Sequence, residues 1–180
     1  MKGSLRVAVT SRSFSRHPVL RRELLARFPQ SRFNDSGKSL GGANLIAFLA
    51  DCDAAITALE HFDEKVLAQL PELKIISKYG VGLDMLDLEA MRRRGIRLGW
   101  TPGVNRRSVA ELAIAFMLCL LRQVLPANQE LKTGGWCQPA GRLLSEQIVG
   151  IIGCGHIGKD LAILLKGFGC TILVHDIVDY

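Results

Sequence analysis

Three glycines in the last third of the sequence have the spacing of a phosphate-binding turn. Gly153, Gly155 and Gly158 follow an apolar run at 148–152, and apolar residues then recur at helical spacing to about residue 168. The first glycine permits a sharp turn, the second leaves room for a pyrophosphate beside the helix amides, and the third lets the helix pack closely on the strand. The residues predicted to bind the dinucleotide are Gly153, Gly155, His156, Ile157 and Gly158.

An acid follows at the expected distance. Asp176 stands eighteen residues after Gly158, at the end of a second apolar run, 170–175. A carboxylate at this point can accept hydrogen bonds from the two ribose hydroxyls of adenosine, and it repels the 2′-phosphate of NADP. The sequence therefore predicts a turn that binds NAD as the cofactor, and not a purely structural turn without a bound phosphate. The ring of His156 either approaches a phosphate or is exposed without a role.

The composition is that of a globular chain. Of its 180 residues 48% are hydrophobic, and because no run of eighteen apolar residues occurs, we expect no membrane segment. The net charge of +6 comes from dispersed basic residues, which argues against nucleic-acid binding. Five scattered cysteines show no metal-ligand spacing. We therefore expect free thiols, no metal and a cytoplasmic location.

Strand and helix signals alternate through the first hundred residues. Apolar strands that alternate with helices predict an α/β fold, a flavodoxin-like doubly wound parallel sheet, followed by the first βαβ half of a Rossmann domain. Ligands collect at the carboxyl ends of such strands, so the candidate site loops are 11–13, 60–61, 78–82 and 101–105. The strands are expected at 5–10, 32–34, 54–59, 73–77 and 96–100, and the helices at 18–28, 40–50, 63–70 and 86–94.

A long apolar helix is expected between the sheet and the glycine-rich unit. Ser108 is a candidate N-cap with Glu111 in a capping box, and 109–121 is apolar nearly all round. A helix without a polar face has to be enclosed, so we expect it between two domains or two subunits. Residues 132–145 are predicted to form a loop, in which Trp136 either anchors an interface or folds back on its own subunit.

Three segments together carry a family resemblance. They are residues 78–84 (KYGVGLD), 101–111 (TPGVNRRSVAE) and 150–158 (GIIGCGHIG). In this order and spacing they resemble the D-isomer-specific 2-hydroxyacid dehydrogenases, and within that family 155–158 and Trp136 are most similar to the phosphoglycerate dehydrogenases. The resemblance covers the chain from about residue 73 onward, and before that it rests on the fold pattern alone.

The resemblance implies an NAD-dependent oxidoreductase that acts on the CH–OH group of a D-2-hydroxy acid or reduces the matching 2-oxo acid, as a homodimer. The backbone amides of Val81 and Gly82 would hold the substrate carboxylate in an interdomain cleft, and Asn105 would enter it near the nicotinamide. Neutral N–H donors suit a carboxylate because they add no titrating group. The implied division is a substrate domain at 1–100, an interdomain and dimerisation helix with its loop at 101–146, and the start of the NAD-binding domain at 147–180.

The same resemblance places the catalytic histidine, its acidic partner and a substrate-binding arginine beyond residue 180, so we expect the chain to be inactive alone. None of its four histidines matches the base. Ala58, Leu59 and Glu60 follow the third strand, where some relatives have an arginine and a serine. This difference weakens the case for a phosphorylated, 3-phosphoglycerate-like substrate.

Two other functions stay open on the sequence. One is a non-catalytic module in which NAD regulates association, and the other is a structural dimer built on 109–121 with a vestigial cofactor turn. An unpaired strand at 170–175 would also favour pairing with a second copy. A continuation that carries arginine, glutamate and histidine would favour the enzyme, whereas a lack of saturable NADH binding would leave only the scaffold.

Overall fold

The chain divides in sequence into two compact units between Thr101 and Pro102. The structure is a computed structural model and describes residues 5–178. The first unit contains β1 (Val7–Val9), α1 (Arg12–Arg16), α2 (Pro18–Arg27), β2 (Arg32–Phe33), α3 (Gly42–Leu49), β3 (Ala54–Thr57), α4 (Glu64–Leu67), β4 (Ile75–Lys78), α5 (Leu88–Arg93) and β5 (Arg97–Gly99). The second contains α6 (Arg106–Leu121), α7 (Val124–Lys132), a one-turn 3-10 helix (Leu144–Glu146), β6 (Ile148–Ile152), α8 (His156–Lys166) and β7 (Thr171–His175).

The first unit is built on a parallel sheet with the strand order β2-β1-β3-β4-β5. This is the flavodoxin order, so the predicted α/β fold and doubly wound sheet are confirmed. After β1 the chain adds β2 on one side of it, and β3 then returns to the other side. The point at which the winding reverses therefore lies between β1 and β3, where such folds bind ligands.

The core of the first unit lies between this sheet and its helices. Every residue of β1 is buried, because both faces of a parallel sheet are covered and its strands can be apolar throughout. Asp63 and Asp87 cap the helices α4 and α5 by accepting from backbone amides. The large core side chains include Leu45, Leu49, Phe62, Ile76 and Met91.

A short helix replaces one predicted loop. Residues 11–13 were expected in a loop, and that expectation was wrong, because Ser11 accepts a hydrogen bond from the Phe14 amide and caps α1. Five residues are too few to show a helical period in the sequence.

The buried carboxylate of Asp53 joins the beginnings of three neighbouring strands. Its Oδ2 accepts from the Arg6 amide at 3.1 Å and from Arg6 Nε at 2.9 Å, just before β1. Its Oδ1 accepts from Lys74 Nζ at 2.7 Å, just before β4. Asp53 itself directly precedes β3. These bonds hold the pKa of Asp53 well below its usual range, with the side-chain bond from Arg6 as the largest cause.

The second unit is a βαβ unit with one additional packed helix. β6 and β7 pair in parallel from Ile148 with Thr171 to Ile152 with His175, and α8 connects them. The predicted strand, helix and strand are therefore confirmed. α8 also packs on α6 over a shared core. That core contains Ala110, Ile114, Val149, Ile151, Leu161 and Leu165.

One face of α6 is left uncovered by residues 5–178. Leu112, Phe116 and Leu120 are exposed by 52%, 59% and 75%, whereas the opposite face is buried in the core of the second unit. Trp136 is 83% exposed, so the expectation that it folds back on its own subunit is wrong. By length and composition, no single helix of the described chain can cross a bilayer, and only α6 and α7 taken together, bent by 62°, pass that test.

Replacement of Asp53 by asparagine should destabilise the first unit in a pH-dependent manner. We expect Asp53→Asn to lower its free energy of unfolding by about 1–3 kcal/mol at pH 7, because charge-assisted bonds to Arg6 and Lys74 are lost. Since the folded pKa is depressed, this contribution is fully present above about pH 4, the unfolded pKa, and is lost as the pH falls toward the folded value. Urea unfolding at pH 7 and at pH 3 measures the difference.

Glu72 provides the control, because it is an exposed carboxylate 3.8 Å from the same arginine. Glu72→Gln should change the stability by less than about 0.5 kcal/mol. A loss equal to that of Asp53→Asn, or a gap that widens in acid, would contradict the role given to Asp53.

Candidate functional site

The glycine-rich turn of the second unit depends on three different properties of its glycines. Gly153 has a φ of +90°, in the left-handed region that favours glycine. A Cβ on Gly158 would collide with the carbonyl oxygen of Gly153, so only glycine allows α8 to approach the end of β6 this closely. A Cβ on Gly155 would have no non-adjacent heavy atom of residues 5–178 within 4 Å. The third glycine is therefore required by the fold itself, whereas the second leaves open space.

That open space lies at the amino end of α8. Gly155 is the N-cap residue of this helix, and no side chain of residues 5–178 accepts from its first-turn amides as a cap. The amides of His156 and Ile157 head the helix, where the dipole favours a negative charge. A pyrophosphate has the charge and the acceptor oxygens that this arrangement needs. The residues present therefore fit a dinucleotide.

The structure brings Asp176 together with the glycine turn. One oxygen of its carboxylate accepts from the Cys154 amide, and Oδ1 accepts from the Val178 amide at 3.1 Å. These backbone bonds lower the pKa of Asp176, so the group is ionised at neutral pH. A carboxylate oxygen can accept more than one bond, which leaves capacity for hydroxyl groups. The bond to ribose stays a prediction.

The ring of His156 packs against another loop of the same unit. A Cβ on Gly103 would lie 2.7 Å from Cγ and 2.9 Å from Nδ1 of the imidazole, and Gly103 is buried with a φ of +68°. The imidazole therefore covers Gly103 beside the first turn of α8. This contact is a third possibility beside the two weighed from the sequence.

Asn105 is the N-cap of the helix whose N-cap the sequence analysis placed at Ser108. α6 starts at Arg106 with Asn105 at the N-cap position, so the predicted N-cap was wrong by three residues. The Ser108 hydroxyl instead donates to the Asn105 carbonyl at 2.8 Å, a local bond that competes with capping. The exposed Asn105 side chain makes no cap bond. It is accessible to a ligand, and its substrate role stays a prediction.

An ion pair that the sequence analysis did not identify connects α6 to the helix at the glycine turn. Arg107 Nη2 lies 2.9 Å from Oδ1 of Asp160, whose side chain is 7% exposed. Within residues 5–178 the other oxygen, Oδ2, has no hydrogen-bond partner. Because a buried carboxylate is costly without a donor, this pair holds α8 at a fixed position on α6.

The loop after β4 presents backbone amides in the first unit. The Val81 and Gly82 amides donate to no acceptor among residues 5–178. Trp100 Nε1 donates to the Val81 carbonyl at 2.9 Å, and this bond anchors the loop through its carbonyl oxygen. Two unpaired N–H groups in a fixed loop fit an anion, although the carboxylate assigned to them stays a prediction. The described residues contain no group of three His, Cys, Asp or Glu that could hold a metal ion.

Comparison with known proteins identifies close similarity to one family. Residues 7–171 match the profile of the D-isomer specific 2-hydroxyacid dehydrogenase catalytic domain. The chain is 42% identical over 116 residues to glyoxylate reductase/hydroxypyruvate reductase of Homo sapiens, covering 61% of this chain and 35% of the relative. It is 34% identical over 142 residues to D-3-phosphoglycerate dehydrogenase of Sus scrofa, covering 77% and 27%.

Solved structures agree with this similarity. A protein from Polaromonas sp., assigned to the NAD-binding D-isomer specific 2-hydroxyacid dehydrogenases, superposes with a TM-score of 0.89 at 26% identity, covering 99% of this chain and 57% of that one. NAD+-bound 3-phosphoglycerate dehydrogenase of Entamoeba histolytica gives a TM-score of 0.78 at 25% identity, covering 99% and 56%. The chain spans 27% to 35% of the length of these curated relatives and just over half of these solved chains.

Proposed function

We propose that this chain, which belongs to the D-isomer specific 2-hydroxyacid dehydrogenase family, provides the NAD-binding turn and a carboxylate-binding loop of an NAD-dependent oxidoreductase. The substrate class is a D-2-hydroxy acid, whose CH–OH group is oxidised, or the matching 2-oxo acid in the reverse direction. The observation that carries the proposal is the open space beside Gly155 at the uncapped amino end of α8.

In this reaction the residues of this chain would bind and orient the coenzyme and the substrate. When bound, NAD would supply the carrier for the hydride. The amides of His156 and Ile157 would hold its pyrophosphate, and the ionised Asp176 would accept from the adenosine ribose and disfavour a 2′-phosphate. The amides of Val81 and Gly82 would hold the substrate carboxylate without a titrating group.

We further propose that the chain forms a homodimer through the exposed face of α6, in the cytoplasm. Leu112, Phe116 and Leu120 are spaced four residues apart, so they form one apolar stripe along the helix. A stripe of this kind on an otherwise packed helix is typical of an interface. Cys52, Cys119, Cys137 and Cys170 are free thiols, which supports a reducing compartment.

Alanine substitutions in the glycine-rich region separate coenzyme binding from folding. We expect Gly155→Ala to raise the NADH dissociation constant at least about tenfold with the melting temperature unchanged, since its Cβ meets no protein atom but occupies the space of the pyrophosphate. Gly158→Ala should reduce both affinity and stability, because the Gly153 carbonyl has to move. NADH fluorescence and thermal unfolding give the two readouts.

Gly150→Ala is the matched control. A Cβ there would have no non-adjacent heavy atom within 4 Å in the described part of the chain, and the residue lies in β6 and outside the glycine turn. The Gly150→Ala variant should have the same affinity for NADH and the same melting temperature as the unsubstituted chain. Normal NADH binding by Gly155→Ala would refute the assignment of the pyrophosphate to this turn.

The charge of Asp176 should determine the preference between the two coenzymes. We expect Asp176→Asn to weaken NADH binding about tenfold and to lower the NADH preference over NADPH by at least the same factor, because a charge-assisted acceptor and a repulsive charge are lost together. Titrations with each coenzyme measure the ratio. Glu23→Gln removes an exposed charge on α2 and should leave the ratio unchanged. An unaltered ratio in Asp176→Asn would count against ribose recognition.

A charge on the exposed face of α6 should prevent association. We expect the unsubstituted chain to sediment as a dimer and Phe116→Lys as a monomer, since a buried lysine at an apolar interface would be unpaired. Leu88→Lys, at a residue 45% exposed in the first unit, should remain dimeric. A stable monomer of the unsubstituted chain would contradict the proposed dimer.

A further inference from the structure

A cavity of about 230 Å³ lies at the carboxyl ends of β1 and β3 in the first unit. Its lining includes Arg12 and Arg16 from α1 and Ala58, Leu59 and Glu60 from the loop after β3. These strands flank the point at which the winding of the sheet reverses. An open α/β sheet binds ligands at this point, so the cavity stands where the fold predicts a site.

A buried carboxylate fixes the shape of this cavity. Glu60 is 4% exposed, and its Oε2 accepts from the hydroxyls of Thr10 at 3.1 Å and Thr57 at 2.8 Å, and from the Ala58 amide at 2.9 Å. Thr10 follows β1 and Thr57 ends β3, so one carboxylate ties together the two loops that form the walls. The cavity is therefore preformed in the absence of a ligand.

The cavity keeps two uncompensated positive charges. Lys78 donates to the Ala58 carbonyl beside Glu60, and the two charges attract each other, so the Glu60 charge is offset from within the protein. Arg12 and Arg16 are exposed and form no ion pair with any of residues 5–178. Gly37 leaves room for the Arg16 guanidinium, because a Cβ at this position would collide with it. Two guanidinium groups on one cavity favour an anion with several oxygens.

The cavity adjoins the loop that presents the Val81 and Gly82 amides. β4 is the direct neighbour of β3, and adjacent strands are about 5 Å apart. The rings of Phe14 on α1 and Tyr79 after β4 meet edge to face with centroids 5.3 Å apart. The loop with these amides therefore follows the strand next to β3, whose end lines the cavity.

We infer that this cavity binds the second anionic group, a phosphate or a carboxylate, of a substrate whose first carboxylate is held at Val81 and Gly82. The inference rests on the proposed function and narrows its substrate class to 2-hydroxy or 2-oxo acids that carry a second acid group. The residues after β3, Ala58 and Leu59, offer no cation. The positive charge comes instead from Arg12 and Arg16 of α1, the helix that follows β1.

Ligand titrations of the 180-residue chain, followed by NMR, test the inference. We expect 3-phospho-D-glycerate or D-malate to bind at least about tenfold more tightly than D-glycerate, because only the first two can reach the guanidinium groups. The tighter of the two identifies the preferred group as a phosphate or a carboxylate. In the double variant Arg12→Gln/Arg16→Gln that preference should disappear while the affinity for D-glycerate stays unchanged.

The control is the double variant Arg22→Gln/Arg27→Gln, which removes the same charge from exposed positions of α2 outside the cavity. It should keep the tenfold preference, so a loss there would show a long-range charge effect and overturn the inference. Equal affinity of the unsubstituted chain for all three acids would also overturn it. NADH binding measured on the same samples separates the two proposals: preference without NADH binding would refute the coenzyme assignment alone, and NADH binding without preference would refute the cavity alone.

Discussion

The close approach of Gly158 to the Gly153 carbonyl determines the geometry of the second unit. No side chain fits between these residues, so the first turn of α8 lies directly against the end of β6. The amides at the head of the helix are thereby held at a fixed position, and Asp176 reaches the same turn through the Cys154 amide. Recognition of a diphosphate by amides needs such a preformed arrangement, because ordering a loose turn on binding would cost conformational entropy.

Two buried carboxylates organise the first unit in a comparable way. Asp53 joins the beginnings of β1, β3 and β4, and Glu60 joins the ends of β1 and β3. Each satisfies its charge with donors from neighbouring strands, which is what allows a carboxylate to lie inside an apolar sheet. At the amino edge of the sheet the carboxylate of Asp53 therefore has a structural role. At the carboxyl edge there is a cavity lined by Arg12 and Arg16, which form no ion pair within residues 5–178.

The second unit keeps large apolar surfaces open on residues 5–178. The outer face of its two strands carries Ile148, Ile152 and Leu173, exposed by 68%, 89% and 58%, and α6 carries a further stripe. Parallel sheets are normally covered on both faces, so this face has the composition of a buried surface. The apolar composition of α6 predicted enclosure, but the helix packs within the chain on one side only, and its other side is assigned here to a second copy.

The sequence by itself determined the two folding units, the glycine turn and the acid that follows it, because these depend on residues close together in the chain and on short repeating patterns. It missed α1, which is too short for a period, and misplaced the start of α6 by assigning the cap to Ser108. Only the tertiary structure decided which distant groups meet: Arg107 with Asp160, 53 residues apart, and Thr10 with Glu60, 50 apart. Such pairs follow from the strand order and helix packing, which set distances that no local spacing encodes.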